Sequence, residues 1–246
     1  MRRAVTVLLA LCAWPATAAA APASFPHGTL DSQLTTTKPN TPTGGSYDGR
    51  YHAANDPDAD PPYMQRMIFY EPAGMRRDTS VPAQCTASDV ELALRGPDAC
   101  PAGSQIGQGE STTKLMGEAT TVQLQMFNNA DQQIILARSP LVTSIARGRI
   151  HPDGSIEFAS PTCYPSVPGV TCPVDTVLQI QTHMETPAYR DAAGRSYLTT
   201  PPKCPKAGHW RTTIRFWWKD GTEDTVVSTQ PCSRKVAKPT RRAKRR

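Results

Sequence analysis

The residues best suited to chemistry in this sequence are its carboxylates. Asp56, Asp58 and Asp60 alternate within Asn55-Asp56-Pro57-Asp58-Ala59-Asp60-Pro61-Pro62, and three carboxylates at spacing two can converge on calcium, an ion that takes six to eight oxygen ligands. An EF-hand loop requires glycine and glutamate where this segment has Pro61 and Met67, so a solvated acidic turn is the preferred reading. Glu110 with Glu118, or Glu157 with Glu185, would form a glycosidase pair if the fold brought their carboxyls to about 5–9.5 Å. The five histidines, His27, His52, His151, His183 and His209, stand singly, as solvated loop histidines do. The G-x-S-x-G elbow, the H-E-x-x-H pair and the phosphate-binding glycine loop do not occur. Ile106-Gly107-Gln108-Gly109 echoes part of a dinucleotide fingerprint, but no βαβ text surrounds it, so its glycines read as a bulge or tight bend. No cofactor and no metal is expected.

Binding without catalysis would call on different residues. Trp217, with Tyr47, Tyr51 and Tyr63, is a candidate stacking platform for sugar or peptide. Coverage of Trp217 by the chain itself is the preferred alternative, because large aromatics are seldom left exposed.

These residues need a scaffold, and the composition indicates which. With 24 prolines and 7% aromatics in 246 residues, a helical bundle is disfavoured. Met64 to Glu71 reads as a strand with both faces largely apolar, hence central and covered on both sides. Leu30 to Thr37 and Ser46 to His52 read as edge strands within a Pro/Gly-rich N-terminal segment that runs to about residue 62. Strands follow at Thr121 to Phe127, Gln132 to Arg138, Val142 to His151 and Ser155 to Ala159. Thr176 to Met184 alternates, placing Leu178, Ile180, Thr182 and Met184 opposite Gln179, Gln181 and His183. Asp220-Gly221 favours a two-residue type I′ turn between Trp210 to Lys219 and Thr222 to Thr229. That register sets Phe216 against Thr225 and leaves Arg211, Arg215, Trp217, Asp224 and Val226 on a mostly wet face. Ser88 and Glu91 form a capping box that opens one short helix, which Gly96-Pro97 stops. The expected fold is mainly β: an antiparallel β-sandwich with one short helical insert and a C-terminal hairpin.

Export is legible at the N-terminus. Arg2 and Arg3, an apolar run from Ala4 to Ala13 and small residues to Ala21 make a secretory signal peptide, residues 1–20, with cleavage after Ala20. Cys12 would leave with it; a lipoprotein reading meets the bulky Leu11 just before that cysteine. Cys85, Cys100, Cys163, Cys172, Cys204 and Cys232 remain, an even set that reads as three disulfides in an oxidising compartment. Sequence alone leaves 15 pairings open, with neighbour pairing favoured by loop economy. Close C-x-x-C pairs, which zinc would need, are missing.

Net charge divides the chain. The formal +6 includes ten bases at the ends: Arg2, Arg3 and eight within the last thirteen residues, among them Arg241, Arg242, Lys244, Arg245 and Arg246. Without those ten, 17 bases face 21 acids and the body carries −4. A cationic groove for specific nucleic acid is therefore not expected. The domain spans 21–233, and 234–246 is a basic, disordered tail suited to an anionic cell-envelope polymer or phospholipid surface.

Two stretches carry a resemblance. Pro82-Ala83-Gln84-Cys85-Thr86-Ala87-Ser88-Asp89 leads to Ala99-Cys100-Pro101-Ala102-Gly103-Ser104-Gln105-Ile106-Gly107-Gln108-Gly109. Leu198-Thr199-Thr200-Pro201-Pro202-Lys203-Cys204-Pro205 is followed by Asp220-Gly221-Thr222 and Pro231-Cys232. Together they resemble an uncharacterised group of secreted actinobacterial proteins. The resemblance covers most of the chain after the signal, excludes the tail, and implies export from a GC-rich Gram-positive bacterium. It implies no activity. The expected function is a non-catalytic, extracellular or cell-envelope binding or structural protein whose glycan or protein ligand is unknown. The alternative is a secreted polysaccharide hydrolase with a carboxylate pair on a sheet face.

Overall fold

The computed structural model describes residues 22–115, 117–169, 171–172 and 177–233; the segment expected to be a signal and the basic tail lie outside them. The strands are β1 (Ala23–Phe25), β2 (Gly28–Leu34), β3 (Gly45–Tyr51), β4 (Met64–Tyr70), β5 (Arg76–Arg77), β6 (Gln105–Leu115), β7 (Glu118–Asn128) and β8 (Gln132–Arg138). They continue as β9 (Val142–Ile150), β10 (Ile156–Ala159), β11 (Thr162–Pro165), β12 (Val177–Thr186), β13 (Leu198–Thr199), β14 (His209–Trp218) and β15 (Glu223–Pro231). One antiparallel sheet of 13 strands runs β1, β2, β3, β12, β6, β7, β8, β9, β10, β4, β14, β15, with β11 also on β9. The mainly β, antiparallel architecture is the expected one. Its two layers are continuous, because the sheet curls until its ends meet as a nearly closed barrel.

Side chains rather than a backbone ladder make that closure. The stretch of β2 beyond its pairing with β1, from Asp31 to Leu34, lies along the inner face of β15. Ser32 donates its N–H to Ser228 Oγ at 3.1 Å and accepts the Ser228 hydroxyl on its carbonyl at 3.2 Å. Gln230 does the same for Leu34, accepting the N–H on Oε1 and donating Nε2 to the carbonyl, both at 2.7 Å. At the other end of the seam, buried Asp224 accepts from His27 Nδ1 at 2.5 Å and from Trp218 Nε1 at 2.7 Å. A core of Phe25, Leu30 and Tyr51 against Ile214, Phe216, Trp218 and Val226 fills the space beneath, with Phe25 stacked on Phe216 at 5.2 Å and Phe216 on Trp218 at 5.6 Å.

The hairpin register corrects the sequence expectation. Phe216 lies opposite Asp224 and Ile214 opposite Val226. Instead of a two-residue type I′ turn, Gly221 N–H bonds to Trp218 O and Trp218 N–H to Thr222 O, with Gly221 at φ +86°. This is a turn completed by a left-handed glycine that bulges the strand. One residue of slip exchanges the faces of a strand, so Asp224, Val226, Ser228 and Gln230 point inward rather than into water. Two smaller corrections follow the same logic. β3 sits between β2 and β12, and β2 lies between β1 and β3, so neither is an edge. β4 is central, between β10 and β14, yet both its faces are only half-buried.

The helix is Asp89–Arg95, with the Ser88 and Glu91 capping box formed. It packs Leu92 on Phe127, Ile134, Leu136 and Ile145, outside the barrel. The disulfides pair Cys85 with Cys100, Cys163 with Cys172, and Cys204 with Cys232. The glycines near residue 107 do mark a bulge, between Gln105 and Gly107 of β6. A Cβ at Gly109 would stand 2.0 Å from His183 O.

The seam is the closure, so its loss is costly. Gln230→Ala removes the partner of the part-buried N–H and C=O of Leu34, and is expected to lower unfolding stability by roughly 1–3 kcal/mol. Exposed Thr229→Ala is expected to change it by less than about 0.5 kcal/mol. Urea denaturation of both variants checks this; equal effects would contradict the seam's role.

Candidate functional site

Period-two alternation on a curled sheet puts one face of every strand inside. Those faces enclose a cavity of about 300 Å³ bordered by Tyr47, Met67, Phe69, Val122, Leu124, Ile135, Ala137 and Phe158, among others. All the methionines among the described residues border it: Met64, Met67, Met75, Met126 and Met184. The core stops short of filling this space. Met64, Met67, Phe69, Met75, Ile135, Ala137 and Ala146 point inward yet remain half-buried, as side chains facing a void do. Gly148 shapes one wall, since a Cβ there would stand 2.3 Å from the Phe158 ring.

The lumen wall is mainly apolar in surface but carries many polar side chains, among them Gln133, Ser144, Gln179 and Thr212. Ser111 and Thr182 share a hydrogen bond at 3.2 Å. Half-buried Tyr47 and buried Tyr51 bond through their hydroxyls. Burial pushes the Tyr47 phenol up to about 12 against the opposing Tyr51 bond, and burial also raises Tyr51 well above its usual range. Past the end of β4 stands an ion pair, Glu71 with Arg77 Nη2, whose side chains are 13% and 7% exposed. Burial raises the Glu71 carboxyl despite the guanidinium beside it. Arg77 Nε and Nη1 are buried without a hydrogen-bond partner. The Tyr197 ring lies 5.9 Å from the guanidinium, and its hydroxyl accepts from Gln133 Nε2 at 3.0 Å. An open trough of about 550 Å³ crosses the outside and shares Gln33, Leu34, Gly45, Ser46 and Thr186 with the lumen wall.

The stacking platform is not assembled. Tyr47 and Tyr51 are inward on β3, whereas Trp217 is half-buried on the outer face of β14. Arg66 and Arg215 stand 3.7 and 4.8 Å from the Trp217 ring, and half-buried Tyr63 precedes β4. The acidic turn does not converge either. Asp60 is held by Lys114 at 2.6 and 2.8 Å, while Asp56 accepts the Asp58 N–H at 3.0 Å. Tail residues Arg241, Arg242, Lys244, Arg245 and Arg246 lie outside the described residues.

The carboxylates proposed for hydrolysis are also apart. Glu110 faces out in mid-strand opposite Gln123 and His183, and Glu118 begins β7 opposite Leu115. Glu157 is held by His151 at 2.9 Å and Arg66 at 3.2 Å, and the His151 bond chiefly lowers its carboxyl below the usual range. A general acid needs the opposite shift. Glu71 has it, but its neighbour is a guanidinium rather than a second carboxylate. Sequence reasoning missed Glu71 and Arg77; the available signal was an acid placed directly after an apolar strand. It also missed the burial of His27, which followed from the wrong hairpin register.

Comparison with protein-family models, with curated proteins and with solved structures finds no match. Geometry therefore carries the functional argument.

His183 offers a check on the outer face. It bonds Asp48 at 2.7 Å with Glu185 at 3.4 Å. The Asp48 bond, outweighing the small effect of burial, raises its pKa above the ordinary imidazole value. A raised imidazole stabilises the fold fully below about pH 6.5 and loses that contribution as pH rises through the folded value. The pair is exposed, so the effect on stability is small. Asp48→Asn is expected to return the His183 titration, followed by NMR, toward about 6.5; an unchanged midpoint would contradict the assignment.

Proposed function

We propose that the protein is an exported, non-catalytic binding protein that carries a small apolar molecule in its lumen. The observation that carries this reading is the unfilled, methionine-lined cavity. Methionine is flexible and polarisable, and suits surfaces that must adapt to an apolar guest. A cavity of this size stands at the lower end of small-molecule sites, and the adjoining trough offers a route to it. The faces are polar outside and apolar inside: Asp48, Arg50, Glu110, Arg211 and Arg215 are exposed, the reverse of a membrane-spanning barrel. The N-terminal pattern and three disulfides support export to an oxidising compartment, as does the resemblance to secreted actinobacterial proteins. The basic tail then holds the carrier on an anionic envelope polymer or phospholipid surface, at about 1 kcal/mol per base near an acidic membrane.

The neutral fluorophore 1-N-phenylnaphthylamine tests the lumen. It should bind saturably with enhanced emission, and Ala137→Phe should weaken it about tenfold or more by occupying the same space. Placed in a void, the added ring should not destabilise the fold, whereas overpacking a filled core costs roughly 1–3 kcal/mol. Absence of probe binding, or unaltered binding by the variant, would refute the reading. For the tail, a chain ending at Ser233 should lose salt-sensitive retention on anionic cell-wall material, and equal retention would refute that role.

A further inference from the structure

We propose that the lumen's guest is an acidic amphiphile, a medium-chain acyl carboxylate, with its headgroup at Arg77 and its chain against the methionines; this rests on the lumen reading above.

The cation comes first. Arg77 borders the cavity, its side chain is 7% exposed, and although the Tyr197 hydroxyl interacts with its guanidinium, Nε and Nη1 have no acceptor in hydrogen-bond geometry. Buried donors left unmet are costly, and more so on a charged group. Glu71 engages only Nη2 and is the sole carboxylate among the lining residues described. The other lining cation, Arg66, is 40% exposed, paired with Glu157 and stacked on Trp217. Among the described lining residues, Arg77 is thus the cation that is both buried and short of acceptors. A guanidinium presents its donors in a planar fork that fits a carboxylate.

The cavity sets the rest of the guest. At about 300 Å³, it stands at the lower end of small-molecule sites. That scale suits a single medium-length acyl chain. The chain would meet Met64, Met67, Met75, Met126 and Met184, which can repack around it. Glu71 competes with the incoming headgroup for the same guanidinium.

The test displaces 1-N-phenylnaphthylamine from the full chain with decanoate, decan-1-ol and decyltrimethylammonium. Decanoate should compete about tenfold or more better than the alcohol, the scale of one charge-assisted hydrogen bond, and the ammonium should compete worst. Glu71→Gln should strengthen decanoate by removing the competing charge. Arg77→Met should bring the acid-to-alcohol ratio close to one. If that variant does not fold, the wild-type ratio and Glu71→Gln decide the matter. Equal displacement by acid and alcohol, or weaker decanoate binding in Glu71→Gln, would overturn the acidic guest while leaving the lumen reading intact. Failure of the fluorophore to bind at all would remove both.

Discussion

Two side chains on the last strand substitute for peptide groups, and the barrel depends on them. Gln230 returns a donor and an acceptor to Leu34, and Ser228 does so for Ser32. A sheet of this length would otherwise present two raw edges, each a template for another chain. The Cys204–Cys232 bridge lies beside this closure and ties β15 to the start of β14. Because a side chain reaches farther than a ladder bond, β2 meets β15 edge to face and does not continue the sheet.

That manner of closure explains the interior. Asp224, Ser228 and Gln230 occupy inward positions on β15 but are spent at the seam. The aromatic core gathers next to them, around Phe25, Phe216 and Trp218. A second core forms around Ile106, Leu124, Tyr197 and Leu198, and the helical insert contributes its Leu92 to the outside. Between the two inner clusters lies the methionine-lined space, with Glu71 and Arg77 in its wall. A many-stranded barrel is wide enough to enclose a guest when its side chains do not fill the centre.

Much of this was legible in the sequence, and the failures have physical causes. The capping box at Ser88, neighbour pairing of the cysteines and the strands at Gln132–Arg138 and Val142–Ile150 were legible because each is a local signal. β6 was not read as a strand, since Gly107, Gly109 and its many polar residues mask the alternation. In β12 a bulge between Gln179 and Gln181 breaks the alternation that the sequence shows as continuous. The hairpin register failed by one residue because Asp-Gly serves both the two-residue turn and the bulged one. That slip hid Asp224, Ser228 and Gln230, hence the seam. Tyr47 and Tyr51 sit on the inner face of β3, a matter of sheet curvature that no local pattern records. Arg77 could not be singled out because its meaning lies in what surrounds it.

The central claim is that the space is a binding site and not a packing defect. Methyl NMR on the protein labelled at methionine tests it directly, since every methionine among the described residues borders the space. On titration with decanoate, the account predicts saturable shifts and NOEs from the acyl chain to the Met64, Met67, Met75, Met126 and Met184 methyls. Methyl signals that stay fixed while decanoate is added, with no NOE to any of them, would contradict it.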